Sequence, residues 1–441
     1  MTTENEIIDN YDLMDSVVNL CKRRGFIFPS AEIYGGFRST YDYGPLGVLM
    51  LQNVKSNWWR SMVQERDDIV GLDCSILSTP KIWEASGHLS TFTDPLVDCK
   101  KCHERFRQDQ IGSTCPNCGS TELTESRDFN LMFKTHAGPV ESESTVAYLR
   151  PETAQGMFVN FQNVLTTSRK KLPFGIAQVG KSFRNEITPG NFVFRTREFE
   201  QMEMEYFVEP ASASQYFDYW VTARHKWYLE LGIPSQMLRI RQHDPEELSH
   251  YSTQTSDIEF EFPWGFGELE GIANRTDYDL RAHSTSSGSD LRYFDPIKNE
   301  RYYPYVIEPA AGATRTMMAF LISSYRVDVI DKETRILLKL HPRLAPYKVA
   351  VLPLSKKEPL IELAKSIASE LRKNYMVDYD ESQSIGKRYR RQDEIGTPLC
   401  VTVDFESLED GMVTIRDRDT LEQQRVKINS IMDEINKRLG F

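Results

Sequence analysis

The stretch from residue 180 to 207, GKSFRNEITPGNFVFRTREFEQMEMEYF, constrains this chain more than any other. Thr188-Pro189-Gly190-Asn191 breaks any helix and marks a turn, so its flanks read as the two strands of a hairpin. Lys181, Arg184, Arg195 and Arg197 crowd against Glu186, Glu198, Glu200 and Glu203, with Phe183, Phe192, Phe194 and Phe199 between them. A plain edge hairpin alternates apolar and polar residues and has no use for so many arginines. Arginine grips phosphate with two parallel donors, and a phenylalanine beside it offers a face on which a purine stacks. Two readings stand at this point: a nucleotide cradle, or a charged surface hairpin.

A second constraint is a pair of cysteine knuckles, Cys99-x2-Cys102 and Cys115-x2-Cys118, separated by twelve residues. Each pair can wrap one side of a tetrahedral ion, and the intervening stretch can return the chain as a short hairpin. Zinc suits four thiolates with no open position, which makes the site structural. Iron in a rubredoxin-like arrangement is one alternative, and two unrelated pairs of cysteines is the other. His103 reads as a surface residue, since four cysteines complete the shell. Arg105 and Arg107, inside the loop, are either solvated or reach a neighbouring site as a flap. Cys21, Cys74 and Cys400 sit singly in apolar contexts, as small buried hydrophobes do. Seven cysteines is an odd count, and the acidic, polar start MTTENEIIDNYD carries no export signal. Both argue against a disulfide framework.

The 441 residues suggest about three domains, and 40% apolar content is enough for sizeable cores. No run approaches the ~20 apolar residues that span a bilayer, so no membrane partner and a cytoplasmic location are expected. A net charge of -11 does not advertise a nucleic-acid binder. It leaves open a local basic patch, on which phosphate contacts depend.

Along the chain, residues 12–25 read as a helix with Leu13, Val17 and Leu20 on one face and Gly25 closing it. Tyr41 to Gly47 form a turn into a long helix that opens on Pro45, where a missing N–H costs little. Val48, Leu51, Val54, Trp58 and Met62 give its expected apolar stripe. Leu149 to Gly156 reads LRPETAQG. Glu152 there is either an acid in a helix's first turn or an acid aimed at a substrate ammonium. Residues 214–231 form an aromatic-rich helix, taken as core, and 258–262 alternates as a strand. Residues 265–273 make a glycine-rich strand on which Glu268 and Glu270 are expected on one face. Glycines there permit close approach of a ligand, and a carboxylate can hold Mg²⁺ beside a triphosphate. Residues 305–315 run from a strand through small residues into a helix buried by Met317, Met318, Leu321 and Ile322. Arg315 in its first turn opposes the helix dipole, a conflict that a bound phosphate would repair. Two prolines within His341–Pro346 mark a linker. Strands at 349–352, 376–379, 399–405 and 412–415, with helices at 360–371 and around Ile431, Ile435 and Leu439, make a small α/β domain beyond it. Lys387, Arg388, Arg390 and Arg391 cluster in an expected turn, either a solvated basic loop or a phosphate or anticodon contact.

These stretches, in this order, resemble the class II aminoacyl-tRNA synthetases. YGPLG with its long helix looks like motif 1, FRNEITPGNFVFRTREFEQME like motif 2, and the stretch ending at Arg315 like motif 3. The full string RPETAQG and the C-terminal SIGKRYRRQDEIGTP are similar to the dimeric glycyl-tRNA synthetases, and the likeness runs from about Arg24 to Arg425. The resemblance implies an α+β fold: a mixed, mainly antiparallel sheet flanked by helices, a zinc-bearing insertion, and a C-terminal α/β anticodon-binding domain. The expected division is a catalytic domain over 1–94 and 122–340, the insertion over 95–121, and the anticodon-binding domain over 347–441.

The resemblance also implies an activity, activation of glycine with ATP and transfer to the 3′ end of tRNA(Gly). Its implied cofactors are ATP as substrate, Mg²⁺ and structural Zn²⁺ on Cys99, Cys102, Cys115 and Cys118. Its implied assembly is a homodimer through the motif 1 helix around Pro45. ATP would be held by Arg184, Asn185, Glu186, Phe194, Arg195, Thr196, Arg197, Glu198, Phe199, Glu268, Leu269, Gly312, Ala313, Thr314 and Arg315, with Arg184 and Arg315 catalytic and Mg²⁺ on Glu268. Glycine would be held by Arg107, Glu152, Phe199, Glu200, Gln201, Met202, Glu203, Arg275, Glu308, Pro309, Ala310, Ala311 and Gly312. The family usually has Ser where this chain has Ala310, so one hydroxyl is absent. A threonyl- or prolyl-type relative is disfavoured by three acids around a small pocket and the lack of a threonine-type zinc set. A catalytically inert nucleic-acid-binding relative is disfavoured by retention of Arg184, Glu186, Arg195 and Arg315.

Overall fold

The computed structural model describes residues 10–249, 251–330 and 332–440. The acidic N-terminal stretch 1–9, and with it the start of the expected first domain, lies outside the described residues, as does residue 441. Helix α1 spans Asn10–Arg24, with Lys22, Arg23 and Arg24 in its last turn, and Gly25 follows it at φ +75. Helix α2 spans Pro45–Trp59. A Cβ on Gly47 would fall 1.8 Å from the Phe26 carbonyl oxygen, so only glycine lets α2 lie on the segment after α1. Its buried side is Leu46, Gly47, Met50, Leu51, Val54 and Trp58. Val48, expected in the stripe, is 53% exposed instead, because 47, 50, 54 and 58 set the inward face and 48 lies off it.

The central sheet has seven strands: β1 (Ile69–Gly71), β5 (Phe174–Phe183), β6 (Glu198–Val208), β7 (Leu238–Gln242), β8 (Gln254–Phe262), β9 (Gly265–Thr276) and β10 (Tyr305–Gly312). Between β1 and β5 the chain forms a separate three-stranded sheet from β2 (Thr93–Asp98), β3 (Arg105–Arg107) and β4 (Arg127–Asn130), with β2 central. The strands of the large sheet lie in the order β7-β8-β9-β10-β6-β5-β1. Only the β5–β1 pair is parallel, so the sheet is mixed and mainly antiparallel. Helix α3 (Ala154–Val159) precedes β5, α4 (Ala213–Glu230) follows β6, α5 (Tyr278–Ser287) follows β9 and α6 (Ala313–Ser324) follows β10. One face of the sheet is packed by α2, α4 and α6 in a single core. In α6 every residue except Arg315 is buried, wider than the one-sided stripe expected from its sequence. The opposite face holds a phenylalanine cluster, Phe158, Phe161, Phe174 and Phe207, and beyond it a cavity.

After α6 the hairpin β11 (Tyr325–Ile330) and β12 (Glu333–Leu338) leads into the expected linker. That linker is packed: Leu344 and Ala345 are buried, and the Asn53 amide of α2 donates to their carbonyls at 3.2 and 2.9 Å. The C-terminal unit contains β13 (Val349–Pro353), α7 (Glu358–Leu371), β14 (Val377–Tyr379), α8 (Ile385–Ile395), β15 (Leu399–Val403), β16 (Met412–Asp417), β17 (Gln423–Lys427) and α9 (Ile431–Leu439). Its sheet runs β14-β13-β15-β16-β17, with α7 and α9 packed on one face and α8 on the other. Two features differ from expectation. Strand β17 was not anticipated, and Lys387 to Arg391 lie in helix α8 rather than in a turn. Their spacing buries Arg388 on carbonyls of Pro353 and Asp380 and pairs Arg391 with Asp380, so half the basic cluster is structural. Among the described residues no helix is long and apolar enough to cross a membrane.

Candidate active site

A cavity of about 410 Å³ opens on the face of the sheet formed by β6, β9 and β10. Strand alternation decides which motif residues reach it. On β6, Phe199, Gln201 and Glu203 line the cavity. The residues that alternate with them point away: Glu198 pairs with Lys181, Glu200 with Lys55 of α2 at 2.9 Å, and Met202 is buried in the core. The expectation that a continuous run from 197 to 203 touches substrate is thereby corrected. The same holds on β10 and at the start of α6, where Glu308, Ala310, Ala311, Gly312, Thr314 and Arg315 line the cavity while Pro309 and Ala313 are buried off its wall.

On β9 a register shift overturns the expected pairing of two glutamates on one face. Ile258 faces Glu270, but Glu259 faces Glu268, so the extra residue forms a bulge that turns successive side chains apart. Glu268 lines the cavity. Glu270 points through the sheet and accepts from Arg224 Nε at 2.7 Å and Tyr228 Oη at 2.8 Å. Leu269 is buried in the core.

One end of the cavity is basic and aromatic. Arg184, Arg195, Arg315, Phe194, Phe199, Glu186 and Thr196 meet there. Arg315 donates to the carbonyls of Glu268 (2.9 Å) and Phe194 (3.3 Å), and its guanidinium lies 4.3 Å from the Phe194 ring. Arg184 is held by the Pro151 carbonyl at 3.1 Å and sits 5.3 Å from both the Phe92 and the Phe199 rings. Among the described residues neither Arg184 nor Arg195 has a carboxylate within 4.0 Å. Burial, with Arg195 and Arg184 nearby, lowers the pKa of Arg315 against the opposing pull of Glu268. A set of converging guanidiniums short of anions is a ready site for a polyphosphate. Asn185 and Arg197 support the hairpin from outside: the Asn185 N–H donates to Leu131, and Arg197 donates to the carbonyls of Arg38 and Glu186. Arg107, on β3, stays off the cavity wall, paired with Asp94 at 3.0 Å and Asp109 at 2.7 Å.

The other end is acidic and small. Glu152, Glu203 and Glu308 face it, with Ala310 on its floor. Glu152 does not cap α3, whose N-cap is Thr153; it lies 3.3 Å from His88 Nε2 and accepts from Gln155 at 3.0 Å. Arg275, 2% exposed, donates to Asp279 twice at 2.8 Å and to Glu308 at 3.0 Å, under the Tyr251 ring at 3.9 Å. Thr153 Oγ1 donates to Glu203. Crowding of acids separates their proton affinities. Burial, reinforced by Glu308 and Glu152, pushes Glu203 up to about 8. Burial and Glu152 hold Glu308 at about 7 against the pull of Arg275. For Glu152 burial is outweighed by His88 and Arg275, and its carboxyl lies below the ordinary range.

Several wall residues were not expected from sequence: His243, Ser249, Tyr251, Thr255 and Asp257 on and before β8, and Asp279 and His88 behind the acids. Asp279 meets Arg275 across the junction of strand β9 and helix α5, where no single periodicity predicts the pair. The others lie in polar loops or on strand faces whose neighbour is set by the sheet.

The four knuckle sulfurs converge. Cys99 Sγ lies 3.6 Å from Cys118 Sγ and Cys102 Sγ 3.6 Å from Cys115 Sγ, all four within 4.8 Å of one another. Four thiolates at ~2.3 Å around a tetrahedral zinc are about 3.8 Å apart, so this donor set fits that ion.

A cluster of arginines and a small acidic chamber face each other on antiparallel strands, and the chain's matches to known proteins place it among the class II aminoacyl-tRNA synthetases. Residues 133–325 match the family model described as tRNA synthetase class II core domain (G, H, P, S and T), and residues 348–438 match the anticodon binding domain. The chain is 56% identical to the glycine–tRNA ligase of Bifidobacterium longum (strain NCC 2705), covering 97% of this chain and 93% of that one. It is 55% identical to that of Cutibacterium acnes (strain DSM 16379 / KPA171202), over 97% and 96%, and 54% identical to that of Geobacillus thermodenitrificans (strain NG80-2), over 97% and 98%. The chain belongs to the glycine–tRNA ligase family.

Proposed function

We infer that the protein joins glycine to ATP as glycyl-adenylate and then transfers the glycyl group to the 3′ end of tRNA(Gly). The observation that carries this reading is one cavity with Arg184, Arg195 and Arg315 at one end, the first two without a carboxylate partner among the described residues, and an ammonium-sized ring of Glu152, Glu203 and Glu308 at the other. A glycine carboxylate oxygen attacks the α-phosphorus and pyrophosphate leaves. A ribose hydroxyl of the tRNA end then attacks the carbonyl carbon and AMP leaves. The attacking carboxylate is already ionised, so the first step needs no general base. It needs positioning and relief of anion–anion repulsion.

In this assignment Arg184 grips the α-phosphate and the glycine carboxylate, and Arg195 and Arg315 hold the outer phosphates. Phe199 stacks on adenine and Glu186 reads its amino group. Glu152, Glu203 and Glu308 surround the ammonium, and Arg275 fixes Glu308. Glu268 stands beside Arg315 at 3.5 Å and is the carboxylate that would hold Mg²⁺, which supplies positive charge against the phosphates. Cys99, Cys102, Cys115 and Cys118 would hold zinc as a fold-stabilising ion. The proposed division is a catalytic domain, an insertion within it and a tRNA-binding domain over 347–441, the last supported by its own hydrophobic core; the expected insertion of 95–121, with the catalytic domain over 1–94 and 122–340, widens to 93–130, because its three-stranded sheet runs from Thr93 to Asn130. A homodimer through α2 is supported by exposed Val48 on that helix, with Ile33, Tyr34 and Phe37 also exposed nearby in sequence.

Glycine selectivity is steric. Losing contact with one methyl discriminates by only about 1–3 kcal/mol, whereas carboxylates drawn tightly round an ammonium leave no room for a β-carbon. The deciding experiment is ATP–pyrophosphate exchange with glycine, alanine, serine, threonine and proline. Exchange with glycine alone is expected; exchange with another of these would overturn the pocket assignment.

A further inference from the structure

Two adjacent acids near the C-terminal end of α8, Asp393 and Glu394, are absorbed by nothing in the reaction so far. Successive side chains on a helix diverge by about 100°, so these two reach different parts of the catalytic unit. Asp393 is fully buried. It accepts from Arg335 Nε at 2.8 Å, on β12 of the catalytic unit, and from both Arg416 terminal nitrogens at 2.9 and 3.0 Å within its own domain. Glu394 accepts from Arg24 Nε at 2.5 Å, at the end of α1, and Arg23 stands 3.3 Å away. A third anchor sits one turn on. Buried Arg418 donates to Gly396 O at 2.7 Å and to Leu340 O at 2.9 Å. Gly396 has φ +79, and a Cβ there would meet Leu340 Cδ1 at 2.7 Å and Leu338 O at 3.1 Å, so the helix end is pressed against the catalytic unit's backbone.

Three anchors in different directions fix a rigid body in rotation as well as distance, unlike the loose polar contacts usual between domains. They also tie the C-terminal domain to elements that frame the cavity. The β11–β12 hairpin that carries Arg335 continues directly from α6, whose first turn places Arg315 in the cavity. Helix α6 is about 18 Å long at 1.5 Å per residue, and α1 packs against both α6 and α8. The other end of α8 presents Lys387 to solvent, with Arg390 only loosely paired to Glu333 at 3.6 Å.

We propose that Asp393 and Glu394 are positioning residues for the tRNA-dependent step: they lock the tRNA-binding domain in one orientation so that a bound tRNA delivers its 3′ end to the adenylate. This rests on the proposed function, and the two steps of that reaction separate the claims. Adenylate formation does not involve the tRNA-binding domain; charging does. In the full-length protein, Glu394→Arg sets three cations against one another. Glycine-dependent ATP–pyrophosphate exchange is expected within two-fold of wild type, and kcat/KM for charging a tRNA(Gly) transcript at least ten-fold lower. Arg24→Glu combined with Glu394→Arg is expected to recover charging several-fold, which a general loss of folding would not do. Asp393→Asn is the second variant, expected to show the same split, and Glu394→Gln replaces Glu394→Arg if the latter does not fold. Charging within two-fold of wild type, a parallel fall in exchange, or no recovery in the double variant would each overturn the proposal. Absence of glycine-dependent exchange in the wild type would instead sink the proposed function.

Discussion

Arg315 opposes the dipole of the helix it begins, and partial desolvation with Arg184 and Arg195 nearby disfavours its charge in the absence of an anion. Arg315→Ala is therefore expected to lower kcat/KM for ATP in exchange by about 10²–10³-fold. Arg315→Lys recovers little, since a point charge does not replace a planar fork. The acids at the glycine end give a pH dependence. Glu203 is raised from 4.5 to about 8 and Glu308 from 4.5 to about 7. Between pH 4.5 and 8 the folded chain therefore holds protons that the unfolded chain has released. Without glycine their contribution to stability is greatest at the acid end of this window and is lost as pH rises through 7 to 8. The glycine ammonium favours the ionised acids, so its affinity rises over the same interval. Melting curves from pH 6 to 9 with and without glycine should show a glycine-induced shift that grows with pH; a shift that shrinks contradicts the assignment of these acids to the ammonium.

At the scale of elements, the bulge on β9 makes two neighbouring glutamates do different work. Glu268 serves the cavity and Glu270 is sealed under the sheet with Arg224 and Tyr228. Removing one partner of a buried ion pair leaves an uncompensated charge. Arg224→Met is therefore expected to destabilise by about 3–5 kcal/mol in urea unfolding, while Glu268→Gln leaves stability nearly unchanged and impairs exchange. The insertion touches the motif 2 hairpin through Thr188 Oγ1, 2.9 Å from Gln110 Oε1, and through Asp94, whose neighbours are Arg107, Arg195 and Arg184. Cys102→Ser, or a strong chelator, is expected to remove one zinc per chain, measured by metal analysis, and to lower exchange by loosening this contact. The hairpin, the long helix after Pro45 and the knuckles were readable because local chemistry dictates each: a turn, a helix start, a ligand spacing. Helix α8 was not, because its basic residues look like a solvated turn until Asp380 and the carbonyls that bind Arg388 and Arg391 are in place.

For the whole molecule, the proposed dimer would cover exposed Val48 on α2 and the exposed apolar side chains of Ile33, Tyr34 and Phe37. Sedimentation is expected to give a dimer, and Val48→Asp to shift it toward monomer; a monomeric wild type would refute the proposed interface. The sequence by itself determined the chemistry available here. Arginines, acids and four cysteines stand in an order that fixes what can be bound, and strand and helix periodicities fix most element types. Tertiary structure alone decided which of those residues meet. A strand's period of two divides Glu203 from Glu200 and Met202, but the direction each faces depends on the neighbouring strand. A one-residue shift of register on β9 sends Glu270 away from the site, and the packing of α8 against α1 and β12 makes anchors of buried Asp393 and half-buried Glu394. Register and docking follow from burying the apolar faces of several elements at once, a condition that no local stretch of chain contains.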